Sequence, residues 1–243
     1  MTSVRWGAAS ETGRVRADNE DSLLAEPPVF VVADGMGGHA AGEVASRLVV
    51  DEFARLSPPL RADTVLGALA RANAAILAAA AEDPARKGMG TTAVGLALVD
   101  DGGQERWLGF NVGDSRLYRF TGDRLDRVSV DHTEVQELVA AGLISPEDSR
   151  EHPRHHVLTR ALGTDPAPAV DCWLFPPVPG ERYLLCSDGL VRDLTDDDIT
   201  RVLTAAADPG KAARRLVDAA VAAGGRDNVT AVVVEVGRRP APR

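Results

Sequence analysis

The sequence predicts an α+β fold in which mostly antiparallel sheets are covered on the outside by pairs of helices. Two observations predict it: apolar, strand-like runs are clustered along the chain, and the helical stretches between them come in adjacent pairs. A doubly wound parallel sheet would instead require strict alternation of strands and helices. Because the 243 residues contain no internal repeat and no long linker, we expect a single domain spanning 1–243.

The elements are predicted in the following order. Strands are expected at about 3–10, 22–25 and 29–34, then helices at about 39–56 and 62–82. A β-rich block is expected at 91–99, 105–112, 115–120 and 124–128, with a hairpin turn at Gly122 and Asp123. A polar helical excursion, resembling a flap, fills about 133–156. Strands at about 170–175 and 182–187, helices at about 196–206 and 209–223, and a strand at about 228–236 complete the chain.

Composition excludes several classes of protein. Apolar residues make up 44% of the chain and charged residues 26%, as in ordinary globular proteins. The net charge of −9 argues against a nucleic-acid partner or an anionic membrane. Cys172 and Cys186 form no disulfide framework, which favours the reducing cytoplasm. The start of the chain lacks the apolar segment of a signal peptide, and no membrane span is expected.

Three apolar runs lie next to aspartates. Val29 to Ala33 precedes Asp34, Tyr183 to Cys186 precedes Ser187 and Asp188, and Asp227 comes just before the last strand. A carboxylate at the tip of a buried strand costs several kcal/mol unless it is paired. Three that converge would repel each other by roughly 4 kcal/mol per pair at about 4 Å and an effective dielectric of about 20. A divalent cation would remove this conflict, although each aspartate alone also fits an ordinary turn.

Other segments add polar groups at strand ends. Arg16 to Ser22 is dense in charge before a strand and, taken alone, fits a solvated turn. The glycines at 35, 37 and 38 would let the backbone approach a ligand closely, but their spacing fits neither a P-loop nor the dinucleotide fingerprint. Asp114 lies between two strand runs, where it is either part of a hairpin turn or a fourth carboxylate at a strand end.

Together these segments resemble the metal-dependent protein phosphatases of type 2C, the PPM family, in their compact bacterial form. The matching segments occur in the family's order and cover nearly the whole chain: Arg16 to Ser22, Val32 to Ser46, Gly90 to Thr92, Asn111 to Arg116, Asp131 to Thr133, Val157 to Gly163, Ser187 to Leu190, and Asp227 to Thr230. The resemblance implies a four-layer αββα sandwich, with two antiparallel sheets face to face and helix pairs outside.

The resemblance also implies two Mn²⁺ or Mg²⁺ ions per chain at one end of the sandwich. Asp34 would bridge both ions, and Gly35 would offer its backbone carbonyl to one of them. Asp188 and Asp227 would bind the other ion, and Asp114 matches a position linked to a third, weaker ion. All-oxygen ligand sets suit hard cations of this kind.

Further residues take supporting roles by the same resemblance. Glu20 and Asp21 would act through waters around the ions, and Asn228 belongs to the same surrounding group. Arg16, with Asp34, would be catalytic, because its guanidinium can grip the substrate phosphate in a bidentate manner. Arg160 would lie on the substrate side.

The chain departs from the family's pattern at two positions. Met36 stands where the eukaryotic branch has a histidine that is often cast as the general acid, and methionine cannot donate a proton. Arg192 stands where many relatives carry an aspartate, four residues after Asp188. The histidines at 152, 155 and 156 fit a solvated or substrate-facing flap better than a zinc site, and the acidic residues 196–198 fit the start of a helix.

The predicted function is therefore a serine/threonine protein phosphatase acting as a monomer on phosphorylated cytoplasmic proteins, including those of a partner kinase. Two alternatives keep the fold: a phosphoprotein-binding pseudophosphatase, and a phosphatase of a partner-switching cascade that acts on an anti-sigma antagonist. Relatives in such cascades tend to lack the residue equivalent to Arg16. A metal-dependent nuclease would share the carboxylates, but the acidic net charge and the lack of a basic stripe count against it.

Overall fold

The computed structural model describes residues 2–37, 41–149 and 152–237. The strands are, in chain order, β1 (Val4–Glu11), β2 (Asp21–Glu26), β3 (Val29–Met36), β4 (Gly90–Thr91), β5 (Ala93–Asp101), β6 (Gln104–Val112), β7 (Arg116–Thr121), β8 (Arg124–Arg127), β9 (Asp171–Phe175), β10 (Arg182–Cys186) and β11 (Val229–Val236). One sheet has the order β1-β11-β10-β7-β8, and the other has the order β2-β3-β5-β6-β9, with β4 paired to β3. All of these pairings are antiparallel.

Helices cover both outer faces of the sandwich. They are α1 (Ala41–Ala54), α2 (Ala62–Glu82), α3 (Glu134–Ala140), α4 (Pro146–Ser149), α5 (Asp188–Asp193), α6 (Asp196–Ala205) and α7 (Pro209–Ala223). Helices α1 and α2 pack on the sheet that contains β3, whereas α5, α6 and α7 pack on the sheet that contains β11. The predicted αββα sandwich is confirmed. The assignment of 1–243 to one domain stays a prediction.

Burial on both faces explains the uninterrupted apolar runs of the central strands. In β3, Phe30 and Val32 face the layer between the sheets, where Trp107 and Tyr183 also pack. The alternate residues of β3 face α1 and α2 instead. A strand covered on both sides needs no polar alternation, and the same holds for β11. A sequence-predicted site aspartate lies near one end of each, Asp34 within β3 and Asp227 just before β11.

The helix starts follow local chemistry. The acidic run 196–198 begins α6, as predicted, and Thr195 and Asp198 form a reciprocal capping box there. Asp208 caps α7, which has Pro209 at its first position. Helices α2 and α7 have their predicted bounds. The predicted start of the first helix at 39 lies outside the described residues, and α1 runs from Ala41.

Three elements differ from the sequence prediction. The run 91–99 is divided at Thr92, because the Asp34 amide donates to Thr92 Oγ1 and not to the Thr92 carbonyl oxygen, although the Thr92 amide still donates to the Asp34 carbonyl oxygen. The excursion at 133–156 holds two short helices, since Gly142 adopts a φ of 69° just beyond α3. Helix α5 directly follows β10 and was not predicted. Its signal was the Ser187-Asp188 pair, which favours a helix start.

Helix α2 is long and apolar enough to cross a membrane by length and composition alone. In the fold it is an outer-layer helix whose inner face, including Val65, Leu69 and Ile76, is buried against the core. The Asn73 carboxamide accepts a hydrogen bond from the Gly163 amide, which ties the helix to the segment behind the flap. Packing in the sandwich therefore accounts for the apolar face of this helix.

Candidate active site

Acidic residues from distant parts of the chain meet at one end of the sandwich. Asp34 lies near the end of β3 directly opposite Asp21 of β2. Asp188 follows β10, and Asp227 lies just before β11, which is the antiparallel neighbour of β10. Asp114 lies in the turn between β6 and β7. Asp21, Asp114, Asp188 and Asp227 lie close enough to Asp34 for their negative charges to act on it, so the sequence-predicted aspartates share one end of the sandwich.

Burial raises the pKa of Asp21, Asp34, Asp114 and Asp188. Enclosure by protein raises the pKa of Asp34 well above its usual range, and the charges of Asp21 and Asp188 raise it further. Burial raises the pKa of Asp21 to about 7, although hydrogen bonds from Thr230 and Ser187 partly offset this. The pKa of Asp114 is also raised well above its usual value, first by burial and then by Asp188. The carboxyl groups of such a cluster can all be ionised only when cations lie beside them.

The short β4 segment positions Asp34. The Thr92 amide and the Thr91 hydroxyl both donate to the Asp34 carbonyl oxygen, each at 2.9 Å. The Asp34 amide in turn donates to Thr92 Oγ1 at 3.0 Å, and Thr92 Oγ1 lies 2.7 Å from Ser115 Oγ. The Gly-Thr-Thr match in the sequence thus has a structural role, because it fixes the backbone of the central aspartate and links it to the turn that carries Asp114.

Glycines allow Glu20 and β3 to approach α1. A Cβ atom on Gly35 would lie 2.1 Å from the Gly42 carbonyl oxygen, and one on Gly42 would lie 2.5 Å from Glu20 Oε1. Burial raises the pKa of Glu20, whereas a backbone hydrogen bond from Gly42 lowers it in part. The close approach places Glu20 beside the backbone of Gly35, the residue predicted to offer its carbonyl to an ion.

Ser187 and Asn228 connect the two sheets at this end. Ser187 Oγ donates to Asp21 Oδ2 at 2.7 Å and accepts from the Thr230 amide at 3.0 Å. Asn228 Oδ1 accepts from the Glu20 amide at 2.9 Å, and its Nδ2 donates to the carbonyl oxygens of Thr12 and Asp18. Asn228 therefore anchors the loop that carries Arg16.

Two arginines hold Asp227. Arg16 makes a bidentate pair with it, with Nε 2.8 Å from Oδ1 and Nη2 3.0 Å from Oδ2. Arg192 Nη1 lies 2.6 Å from Asp227 Oδ2 and 3.5 Å from Asp188 Oδ2. The sequence predicted both arginines near the site, but not that they share a predicted metal ligand.

Arg160 belongs to a network behind the turn that carries Asp114. Its Nη1 donates to Asp171 Oδ1 at 2.8 Å, and Asp171 Oδ2 lies 3.1 Å from His132 Nε2. The Gly113 amide donates to His132 Nδ1, so the ring proton is on Nε2 and faces Asp171. Burial alone would raise the pKa of Asp171, but His132 and Arg160 lower it below its usual value. The substrate-side role of Arg160 stays a prediction.

The chemistry of the donor set fits hard divalent ions. Asp21 Oδ1 is buried without a hydrogen-bond partner, as expected of an oxygen that serves a cation or its hydration shell. Among residues 2–37, 41–149 and 152–237, however, no three His, Cys, Asp or Glu side chains converge closely enough to hold one ion. Asp227 is instead held by its two arginines. The residues fit the ions in type and charge, and the arginines compete for one of the ligands.

A cleft of about 580 Å³ opens beside the cluster, between α5 and the flap. Asp114, Asp188 and Arg192 line it on one side, and Val135 and His155 of the flap line it on the other. His155 Nε2 lies 3.5 Å from Arg192 Nη2, and its Nδ1 lies 2.7 Å from the His152 carbonyl oxygen. His155 thus lines the cleft, and the solvated or substrate-facing role of the flap stays a prediction. Within the described part of the chain the flap histidines form no metal cluster.

Gly189 provides a test of the close packing beside Asp188. A Cβ atom there would lie 2.1 Å from the Asn228 carbonyl oxygen and 3.3 Å from Asp227 Cβ. We expect Gly189→Ala to push the two segments apart and to destabilise the protein by about 1–3 kcal/mol, with a loss of activity. Gly67→Ala in α2 is the control, since the new methyl would meet only Arg71 Nη1, at 3.3 Å. An unchanged thermal midpoint for Gly189→Ala would contradict this packing.

The fold and the acidic centre together define a class of proteins, the αββα sandwiches with oxygen ligands for divalent ions at one end. A sequence profile of the protein phosphatase 2C family matches residues 11–223. The chain belongs to this family.

Similar proteins agree with that assignment. The serine/threonine protein phosphatase PstP of Mycobacterium tuberculosis is 39% identical over 239 residues, which cover 96% of this chain and 45% of PstP. The serine/threonine phosphatase stp of Listeria innocua is 34% identical over 93% of both chains. The crystal structure of the PstP catalytic domain in complex with two manganese ions has a TM-score of 0.87 and 37% identity, over 98% of this chain and all of that one. This chain thus spans about half the length of PstP.

Proposed function

We propose that this chain is a metal-dependent protein-serine/threonine phosphatase, which hydrolyses phosphoserine and phosphothreonine in proteins. The observation that carries the proposal is the convergence of Asp21, Asp34, Asp114, Asp188 and Asp227 at one end of the sandwich, in a chain of the protein phosphatase 2C family. Phosphate-monoester hydrolysis is among the slowest uncatalysed reactions. A lone carboxylate base supplies only about 10²–10⁴-fold acceleration. Divalent ions held by the aspartates would supply the rest.

The ions proposed for this centre are two Mn²⁺ or Mg²⁺, because the related catalytic domain of PstP crystallised in complex with two manganese ions. Asp34 would contact both, with the Gly35 carbonyl on one and Asp188 and Asp227 on the other. Asp114 would hold a third, weaker ion. Such ions lower the pKa of an attacking water and offset negative charge on the phosphoryl group.

The chain's own side chains supply substrate binding and orientation. Arg16 lies in a loop that Asn228 anchors, and its planar guanidinium matches a phosphate in a bidentate geometry. Glu20 and Asp21 border the centre and would orient waters there through their carboxylates. Met36 cannot protonate the leaving serine or threonine oxygen, so another group or solvent must supply that proton.

The proposed substrates are phosphorylated proteins of a bacterial cytoplasm, including a serine/threonine kinase and its targets. The acidic net charge supports a protein partner over a nucleic acid, and the two unpaired cysteines support a reducing compartment. We propose that the chain acts as a monomer.

Hydrolysis of a phosphothreonine peptide should depend strictly on added Mn²⁺ or Mg²⁺. Oxygen ligands hold such ions only moderately, so exhaustive chelation and dialysis should remove them. The assay compares phosphate release with each ion, with neither, and with chelator. Full activity after chelation would contradict a metal-dependent mechanism, and peptide binding without turnover would favour the pseudophosphatase alternative. Turnover confined to an anti-sigma antagonist phosphoprotein would favour the partner-switching alternative.

A further inference from the structure

We propose that Arg192 is a built-in cation of the carboxylate centre, which competes with divalent ions for Asp188 and Asp227 and thereby sets how many ions bind and how tightly. The inference rests on the proposed function, because it concerns the same centre. It goes beyond that function, since it assigns to this chain's own guanidinium a role in controlling metal occupancy.

The first argument is the position of a single atom. Arg192 Nη1 lies 2.6 Å from Asp227 Oδ2 and 3.5 Å from Asp188 Oδ2, so one positively charged group lies between two predicted metal ligands. Arg192 follows Asp188 by four residues in α5, which places the two side chains on the same face of the helix. The guanidinium therefore occupies the position that a divalent ion shared by these carboxylates would need.

The second argument is partial burial. The Arg192 side chain is 31% exposed, whereas those of Asp188 and Asp227 are 20% and 13% exposed. Charges in such surroundings are screened less by salt than surface charges are. An ion that binds Asp227 must therefore displace Arg192 from a well-formed contact, and this displacement reduces the apparent affinity for the ion.

The third argument is charge balance. Five aspartates interact at the centre, namely Asp34 and the four whose charges act on it. Two divalent ions carry four positive charges, and the guanidinium groups of Arg192 and Arg16, which both pair with Asp227, add two more. A third divalent ion would add excess positive charge next to Arg192. Arg192 should therefore favour occupation by two ions over occupation by three.

The hypothesis that Arg192 forms a purely structural ion pair predicts a different effect on metal binding. If Arg192 only holds α5 against the start of β11, removing it should lower the stability of the metal-free protein and also weaken metal binding, because the ligands lose their support. If Arg192 competes with the ions, removing it should still lower the stability of the metal-free protein, since only Arg16 then offsets the repulsion between Asp188 and Asp227. Metal binding should become tighter, which is the opposite sign.

The experiment measures Mn²⁺ binding by titration calorimetry and by the electron paramagnetic resonance signal of free Mn²⁺. Thermal unfolding of the chelator-treated protein is measured in parallel. The variants are Arg192→Gln, Arg192→Lys and Arg192→Asp. Arg226→Gln is the matched control, because Arg226 lines the same cleft but pairs with Asp193, at 3.4 Å, instead of the two ligands.

Arg192→Gln should bind Mn²⁺ about tenfold more tightly than the wild type and unfold at a lower temperature without metal. Arg192→Asp should bind one more ion, Arg192→Lys should resemble the wild type, and Arg226→Gln should leave Mn²⁺ binding unchanged. Unchanged or weaker binding in Arg192→Gln overturns the inference, as does the absence of Mn²⁺ binding in every variant. A wild type that binds Mn²⁺ but hydrolyses no phosphopeptide overturns the proposed function alone.

Discussion

Replacing Asp34 by asparagine should abolish turnover, with kcat falling by at least about 100-fold, or about 2.7 kcal/mol in the barrier. Asp34 is the carboxylate on which the other four aspartates act, and its backbone is fixed by Thr91 and Thr92. Asparagine keeps the shape of the side chain but removes the charge that would hold an ion. Phosphate release from a phosphothreonine peptide at saturating Mn²⁺ measures the loss.

The same substitution should stabilise the metal-free protein. The raised pKa of Asp34 reflects the cost of a charge placed among buried carboxylates, and asparagine removes that cost. For a chain of this size, each kcal/mol should raise the thermal midpoint by about 2–4 °C. Asp123→Asn, in the β7–β8 turn, is the control for loss of one negative charge elsewhere. Retention of more than a tenth of the activity, or loss of activity through unfolding, would contradict the assignment.

The strands and the outer helices could be predicted because their signals are local. Strands buried on both faces, such as β3 and β11, are continuous apolar runs, and α7 is bounded by Asp208 with Pro209 at one end and Gly224 at the other. Helix α5 escaped prediction because its six residues are too few to show a helical period. The split between β4 and β5 depends on the Thr92 side chain, which accepts a hydrogen bond from the amide of Asp34, 58 positions away.

The sequence located the aspartates of the candidate site but not their ion-pair partners. Aspartates at strand ends can be found in the sequence, because the apolar run of a buried strand stops at a polar residue. The contacts of Asp227 with Arg16 and Arg192 join residues 211 and 35 positions apart, and no local pattern encodes them. The network of Arg160, Asp171 and His132 likewise required the fold to bring β9 beside the flap.

Replacing Arg16 by alanine should lower kcat/KM for a phosphopeptide by about 10- to 150-fold at saturating metal. A charge-assisted hydrogen bond contributes roughly 1.5–3 kcal/mol, which corresponds to that range. Arg16 is half exposed at the edge of the centre, and in this structure its guanidinium already binds a carboxylate, Asp227, in the bidentate geometry that a phosphate would use. Arg16→Lys should recover only part of the activity, because an ammonium lacks the planar fork.

A matched control and a second measurement separate this role from metal binding. Arg14→Ala removes a positive charge from the same loop and should leave kcat/KM nearly unchanged. Because Arg16 also contacts Asp227, its removal frees a predicted ligand, so Mn²⁺ affinity should not fall. If excess Mn²⁺ restored full activity to Arg16→Ala, the arginine would act by supporting the metal centre and not by binding phosphate. Equal losses of kcat/KM in Arg14→Ala and Arg16→Ala would show that the overall charge of the loop, and not a phosphate contact of Arg16, causes the effect.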